Sequence, residues 1–432
     1  MRVWTGWCLA CLLVALSALR TEAADLPLVE VQAGDHDRDG TPVFVELPEP
    51  VSTPLIVEDL TTGQRASAQL LPGSRQSLVW IVNGLPARTR RRYRVVPLVA
   101  VSAIDPLMMR VVERSGRLDL ERKGAVALSY AISTLDPPAG LDPVYRRSGF
   151  IHPLKTPAGR VVTDDFPVDH AHQHGLFFAW VNTTFDGRKV DFWNQPAKQG
   201  RVRHVELVET AGGPVFTEFS ARLRHEATPG DGQPIPALDE TWTVRLYNIP
   251  GRHVIDFRSS QTCAGSRPLE INTYHYGGFG FRGTRAWFDD QVKGEAPPDP
   301  ARSGDSQFLT SEGKHRNDGN HTRPRWLDLS GRVDGAMAGV TVLDSPTNFR
   351  FPQPVRIHPN KPYFAFSPMV QGGFRIEPGK PYVSSYRLDI HDGPPNVPMI
   401  ERLWHDYADP PRVELVAEPR RPLQLQPLQR TP

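Results

Sequence analysis

Short apolar, β-branched runs recur along the chain, each closed by a turn-forming pair. Val43–Leu47, Leu55–Val57 and Leu78–Val82 are separated by Asp39–Gly40, Thr62–Gly63 and Pro72–Gly73. Such spacing predicts strands rather than helices. The rhythm continues in Val202–Val208, Val215–Leu223, Glu240–Tyr247, His253–Ser259, Val340–Leu343 and Tyr382–Ile390. Several of these alternate: Trp242, Val244 and Leu246 are apolar where Thr241, Thr243 and Arg245 are polar. Period two means one buried and one wet face, as in antiparallel sheets. One segment departs from it. Ile400, Leu403, Trp404 and Tyr407 fall at i, i+3, i+4 and i+7, the docking stripe of a helix that Pro410–Pro411 end.

These patterns give an all-β chain in five parts. Residues 1–24 are a signal peptide, with Arg2, an apolar core from Cys8 to Leu19 and a small-residue exit at Ala23–Ala24. Residues 25–107 are a small Ig-like β-sandwich, and 108–395 a large antiparallel β-supersandwich. Residues 396–411 are the docking helix. Residues 412–432, rich in Pro and Arg, are expected to be a disordered tail. Asp290 to Asp305, with Pro297, Pro298, Pro300 and Gly304, reads as a loop able to cover a site.

Composition narrows the function. Proline at 43 of 432 residues disfavours helices and suits turns and strand edges. The net charge of +2 argues against a nucleic-acid partner. No later stretch approaches the roughly 20 apolar residues of a membrane span. The expectation is an exported, periplasmic or extracellular protein without membrane insertion. Of three cysteines, only Cys263 lies beyond the signal, which leaves no disulfide and no Cys-rich metal site.

Chemistry concentrates in Gly149–Asn194, with His152, His170, His172 and His174 among Asp164, Asp165 and Asp169. In an extended segment, His170, His172 and His174 share one face. Histidine titrates nearest neutrality, so the cluster suits proton transfer. It also offers a 2-His-1-carboxylate set for a divalent metal from His170, His172 and Asp169 or Asp165. Adjacent strand residues point to opposite faces, so Asp169 and His170 could both ligate only across a bend.

Two further islands offer binding groups. In Asn272–Gly283, Tyr274, Tyr276 and His275 stand near Arg282, the residue types on which sugar rings stack and hydroxyls bond. In Gly319–Trp326, Arg323 and Trp326 lie close in sequence. The GxG of the first island follows no strand–helix unit and is no dinucleotide fingerprint. Glu240, at the head of an alternating strand, is a candidate carboxylate.

The succession FIHPL, TPAGRVVT, DHAHQHG, FFAW, DFWN, YGGFGFRG, NHTRPRW and GVTVLDSPTN, over residues 110 to 395, resembles an exported bacterial family labelled "methane oxygenase PmoA" or a domain of unknown function. His152, Asp169, His170, His172 and Gly175 match its pattern; Gln173 and His174 depart from it. The ending, EPGKPY followed by YRLDI, is similar to that of galactose-mutarotase-like proteins, where sugars bind on a concave sheet and a His acts with a carboxylate. The resemblance implies a carbohydrate-directed enzyme (epimerase, lyase or hydrolase) acting on a sugar or glycoside. His170 and His172 would transfer protons, Asp169 would orient one of them, and His152 would complete the pocket with Glu240. Arg282, Tyr274, Tyr276, His275, Arg323 and Trp326 would bind substrate. No cofactor is required on this reading. The alternatives are a metal-dependent enzyme, even an oxygenase, with His170, His172 and Asp169 as ligands, and a non-catalytic glycan-binding protein.

Overall fold

The computed structural model describes residues 27–51, 53–98, 109–228, 232–288 and 306–417. The signal segment, the loop at 290–305 and the end of the tail therefore lie outside the described residues. The architecture is mostly β and antiparallel, with one α-helix among the described residues.

The first six strands join one sheet in the order Thr41–Glu46, Ser77–Val82, Arg65–Leu70, Leu55–Asp59, Arg90–Pro97, Leu28–Gln32. The sheet wraps around a core of Val29, Val31, Val57, Trp80 and Val95, and Thr41–Glu46 at one end comes into contact with a seventh strand, Arg412–Val416, at the other. The seventh strand comes from the far end of the chain. Arg412–Val416 pairs with Leu28–Gln32 over five residues, from Leu28 against Val416 to Gln32 against Arg412. This corrects the expectation of a tail disordered from 412. Arg412–Val416 alternates Val413 and Leu415 with charged residues, enough for an edge strand, and the unpaired edge of Leu28–Gln32 supplies its hydrogen bonds.

The large part consists of two eight-stranded sheets face to face, with a four-stranded sheet beside them. One, the site sheet, runs Val355–Ile357, Tyr363–Phe366, Gly278–Arg282, Leu176–Ala179, Ile151–Leu154, Ala125–Ala131, Arg117–Arg122, Met109–Arg114. The other, the back sheet, holds the long strands Gly200–Ala211, Phe216–Ala227, Ile235–Tyr247, His253–Cys263 and Tyr382–Asp392, then Ala336–Asp344, Trp326–Val333 and Gln307–Thr310. The strands expected from Val202 onward fall within these, except that the one expected from Val215 begins at Phe216. The aromatic core lies between the sheets: Phe279 of the site sheet meets Phe257 and Tyr386 of the back sheet at ring distances of 4.9 and 4.3 Å.

That contact fixes which way every neighbour points. Phe279, Phe281, Phe364 and Phe366 face inward, so Gly280, Arg282, Tyr363 and Ala365 face outward. The outer face is where the histidine segment lies.

The helix Val397–Ala408 starts at Asn396, whose side chain accepts from the Met399 amide. Ile400 and Leu403 dock on Val79 of the first sheet and on Phe216, Tyr247 and Leu343 of the back sheet. A buried ion pair, Arg38 to Asp406 at 3.1 Å, ties the helix to the N-terminal part.

Candidate active site

The histidine segment is not extended. The His170 amide donates to the Pro167 carbonyl at 3.1 Å, and the Gln173 amide to the His170 carbonyl at 2.8 Å. These are two successive turns. Period two therefore does not set the side-chain directions, and the three rings divide between two clusters.

The first cluster forms around Asp169. Its carboxylate accepts from Arg282 Nη2 at 2.8 Å and Nη1 at 3.1 Å, and from Lys361 Nζ at 2.8 Å. His170 Nδ1 lies 2.9 Å from the same carboxylate and 3.2 Å from Lys361 Nζ. Burial works against a charged Asp169, but His170, Arg282 and Lys361 outweigh it and hold its carboxyl well below the usual range. With Nδ1–H donated to Asp169, His170 leaves Nε2 free to accept a proton. His172 stands beside it at a ring distance of 5.4 Å, and His358 at 6.1 Å. Burial and neighbouring cations push both of these imidazoles down to about 3, so they are neutral at physiological pH.

The second cluster is a structural knot. His174 is fully buried, its Nδ1 2.6 Å from Asp165 Oδ1, between the rings of Phe150 and Phe166. His152 joins this group rather than His170: its Nδ1 bonds Thr163 Oγ1 at 2.9 Å, and burial lowers its pKa to about 4. Gly175 follows His174 and turns the chain into the strand Leu176–Ala179. Its φ is +36°, and a Cβ there would lie 2.1 Å from the Ile151 carbonyl oxygen, so no side chain fits.

An aromatic shelf lies alongside. Trp193 packs over Phe177 at 4.5 Å and meets Tyr276 at 5.5 Å and Tyr363 at 6.0 Å. Gly280 makes room for it, since a Cβ would come within 2.7 Å of the indole. Tyr274, His275 and Tyr276 are in mutual ring contact at 4.3 to 5.1 Å. Asn194 donates to the Tyr276 hydroxyl at 3.1 Å.

Three expected site residues lie elsewhere. Glu240 points between the sheets and is 1% exposed, bonded to His225, Trp242, Ser259 and Gln261. The alternation that singled it out is real, but its phase matches buried Trp242 and Val244. Trp326 is buried against the helix and donates to Glu401 at 2.9 Å. Arg323 is exposed, and its guanidinium donates to the carbonyls of Arg350, Phe351 and Pro352, holding a loop. Conversely, Lys361 and His358 belong to the site although nothing local in the sequence marks them. Their only signal is the polar H-P-N-K turn before the strand Tyr363–Phe366.

The set His170, His172 and Asp169 does not fit a divalent metal. Both Asp169 oxygens are engaged by a guanidinium and an ammonium, which repel a cation. Among the described residues, no three His, Cys, Asp or Glu side chains are arranged to hold one.

Solved structures similar to this chain include a protein in the glycosyl hydrolase family 38 from Enterococcus faecalis, 10% identical with a TM-score of 0.48 over 91% of this chain and 47% of that one. An alpha-mannosidase from Enterococcus faecalis V583 is 11% identical, with a TM-score of 0.43 over 91% and 46%. A galactose mutarotase related enzyme from Lactobacillus acidophilus is 9% identical, with a TM-score of 0.29 over 66% and 97%. The chain spans about half the length of the first two, and likeness this distant assigns it no activity. No functionally curated protein matches. The sequence model that does match, over residues 117–405, carries no methane-oxygenase label: the chain belongs to the family of unknown function DUF6807.

Proposed function

We propose that this protein is an exported enzyme acting on a sugar or glycoside, with His170 as its proton-transfer group. The observation that carries this reading is the bond from His170 Nδ1 to Asp169, itself clamped by Arg282 and Lys361. A carboxylate behind an imidazole fixes its tautomer and stabilises the imidazolium formed when Nε2 takes a proton. His172, neutral down to about pH 3, is a poor proton acceptor near neutrality and serves to hydrogen-bond a substrate hydroxyl. Half-buried Tyr276 and Tyr274, backed by the buried Trp193, give the apolar face of a sugar ring a surface to stack on. Epimerisation, elimination and hydrolysis each need a proton moved at such a position. The apolar segment within residues 1–24 supports action outside the cytoplasm.

The test is time-resolved proton NMR of a panel of monosaccharides and glycosides incubated with wild-type protein and with His170→Gln. Turnover of one panel member is expected, lowered roughly 10²–10⁴-fold in the variant with binding retained. Equal turnover by the variant would remove His170 from the chemistry. Binding without turnover by either protein would leave a glycan-binding protein.

A further inference from the structure

Three hydrogen-bond donors beside the aromatic shelf have no matching acid. The Tyr363 hydroxyl is buried, 3% exposed, and bonds to nothing among the described residues. The same holds for the indole N–H of Trp193, fully buried, whose ring stands edge-on to Tyr363. The third is Arg356. In the strand Val355–Ile357 it alternates with two core residues, and it pairs in register with Ala365. Arg356 and Tyr363 therefore project from the same outer face. Its guanidinium is half-buried and donates to the amide oxygen of Asn320 at 3.2 Å, and it meets no carboxylate among the described residues. Tyr363 stands two residues from Ala365 on the neighbouring strand, so Arg356 and Tyr363 are diagonal neighbours on that face.

The surroundings reinforce the imbalance. Across the shelf, Arg147 lies over the Phe177 ring at 5.1 Å, enclosed and with no hydrogen bond to its guanidinium nitrogens. It is too enclosed to touch a ligand, but it adds positive potential. Asp169, by contrast, is already bonded to two cations.

Arg356 and Trp193 can only donate and the Tyr363 hydroxyl has a proton to donate, so a group that accepts at two oxygens complements them. A neutral hydroxyl would bring a further donor; an ionised carboxylate brings none, and its two oxygens match the guanidinium fork. We propose that the substrate is an acidic sugar of the hexuronic type, its carboxylate paired with half-buried Arg356 and drawn there by the unmatched donors of Tyr363 and Trp193 behind it. Its ring then lies toward Tyr276 and His170. This inference rests on the carbohydrate reading above and specifies the substrate class.

Calorimetric titration of the full chain with three probes tests both layers: methyl glucuronide, methyl glucoside, and cyclohexanecarboxylate. The glucuronide is expected to bind roughly 10- to 100-fold more tightly than the glucoside. Arg356→Gln should erase that preference, Arg356→Lys should keep part of it, and Tyr363→Phe should weaken it with little change in melting temperature. Equal affinity for glucuronide and glucoside overturns the carboxylate inference and leaves the sugar reading standing, as does a preference that survives in a folded Arg356→Gln protein. Binding of cyclohexanecarboxylate and glucuronide alike, without the glucoside, keeps the carboxylate site and overturns the sugar reading. No binding of any probe overturns both.

Discussion

The carboxylate of Asp169 and the ammonium of Lys361, 192 residues apart in the chain, meet at 2.8 Å. Arg282 completes the cluster from the strand Gly278–Arg282, 113 residues from Asp169. Three distant segments thus share one carboxylate, and both cations are almost excluded from water.

Replacing that carboxylate should therefore be costly. Asp169→Asn leaves two buried cations without a counter-charge, and breaking such a pair typically destabilises by roughly 3–5 kcal/mol. Urea unfolding of the variant should show a loss of that order. A change below about 1 kcal/mol, the worth of an exposed pair, would mean that water screens the cluster.

Acid should weaken the fold through its histidines. In the unfolded chain, histidines take up protons below about 6.5; in the fold, burial holds His152 neutral to about 4 and His172 and His358 to about 3. Across that window the unfolded chain binds more protons, so stability falls as pH falls. His391 opposes them. Its Nε2 faces Asp328 at 3.0 Å and its Nδ1 the Gly393 carbonyl at 3.1 Å. Burial lowers its pKa, but the bond to Asp328 outweighs that and raises it. Its contribution is full below the unfolded value and is lost as pH rises through the folded one. Urea midpoints measured from pH 7 to pH 4 should decline, and His172→Gln should flatten the decline. An unaltered slope in that variant would show that His172 takes up its proton in the fold.

Cutting the chain after Pro411 removes the Arg412–Val416 strand and uncovers one edge of Leu28–Gln32. Val413, which packs against the N-terminal core, goes with it. The expected cost is roughly 1–3 kcal/mol, about one buried aliphatic side chain. Faster hydrogen exchange should appear at the Leu28–Gln32 amides while the large sheets keep their protection. Uniform protection in the truncated protein would show that the strand is dispensable.

Gly280→Ala separates the shelf from the fold. The backbone there tolerates any residue, but the added methyl lies 2.7 Å from the Trp193 ring and 3.2 Å from Phe177. Trp193 must tilt, at roughly 1–3 kcal/mol for an overpacked site. Its fluorescence should change and ligand affinity should drop, with far-ultraviolet circular dichroism unaltered. Affinity equal to wild type would show that Trp193 does not form the binding surface.

The strands were legible because their faces differ: Trp242, Val244 and Leu246 announce a half-buried strand without reference to anything distant. The same regularity misled at two places. Glu240 sits in phase with those residues and so enters the core, where His225 and Ser259 satisfy it. His170, His172 and His174 alternate in the sequence, but the bonds to Pro167 and from Gln173 coil the backbone into turns. Lys361 and His358 were not legible at all. They reach the site because Val355–Ile357 and Tyr363–Phe366 lie at the end of the site sheet beside Gly278–Arg282, and strand order is a long-range property.

The return of Arg412–Val416 to the first sheet has a consequence for synthesis. The strand Leu28–Gln32 leaves the ribosome long before Arg412–Val416, the strand that covers one of its edges. During translation and any passage across a membrane, that edge offers unpaired amides and carbonyls to whatever strand arrives first, including the same strand of a neighbouring nascent chain. Closing this seam of the N-terminal sheet must wait until Arg412–Val416 has been made, which makes this edge a natural point for a chaperone to guard.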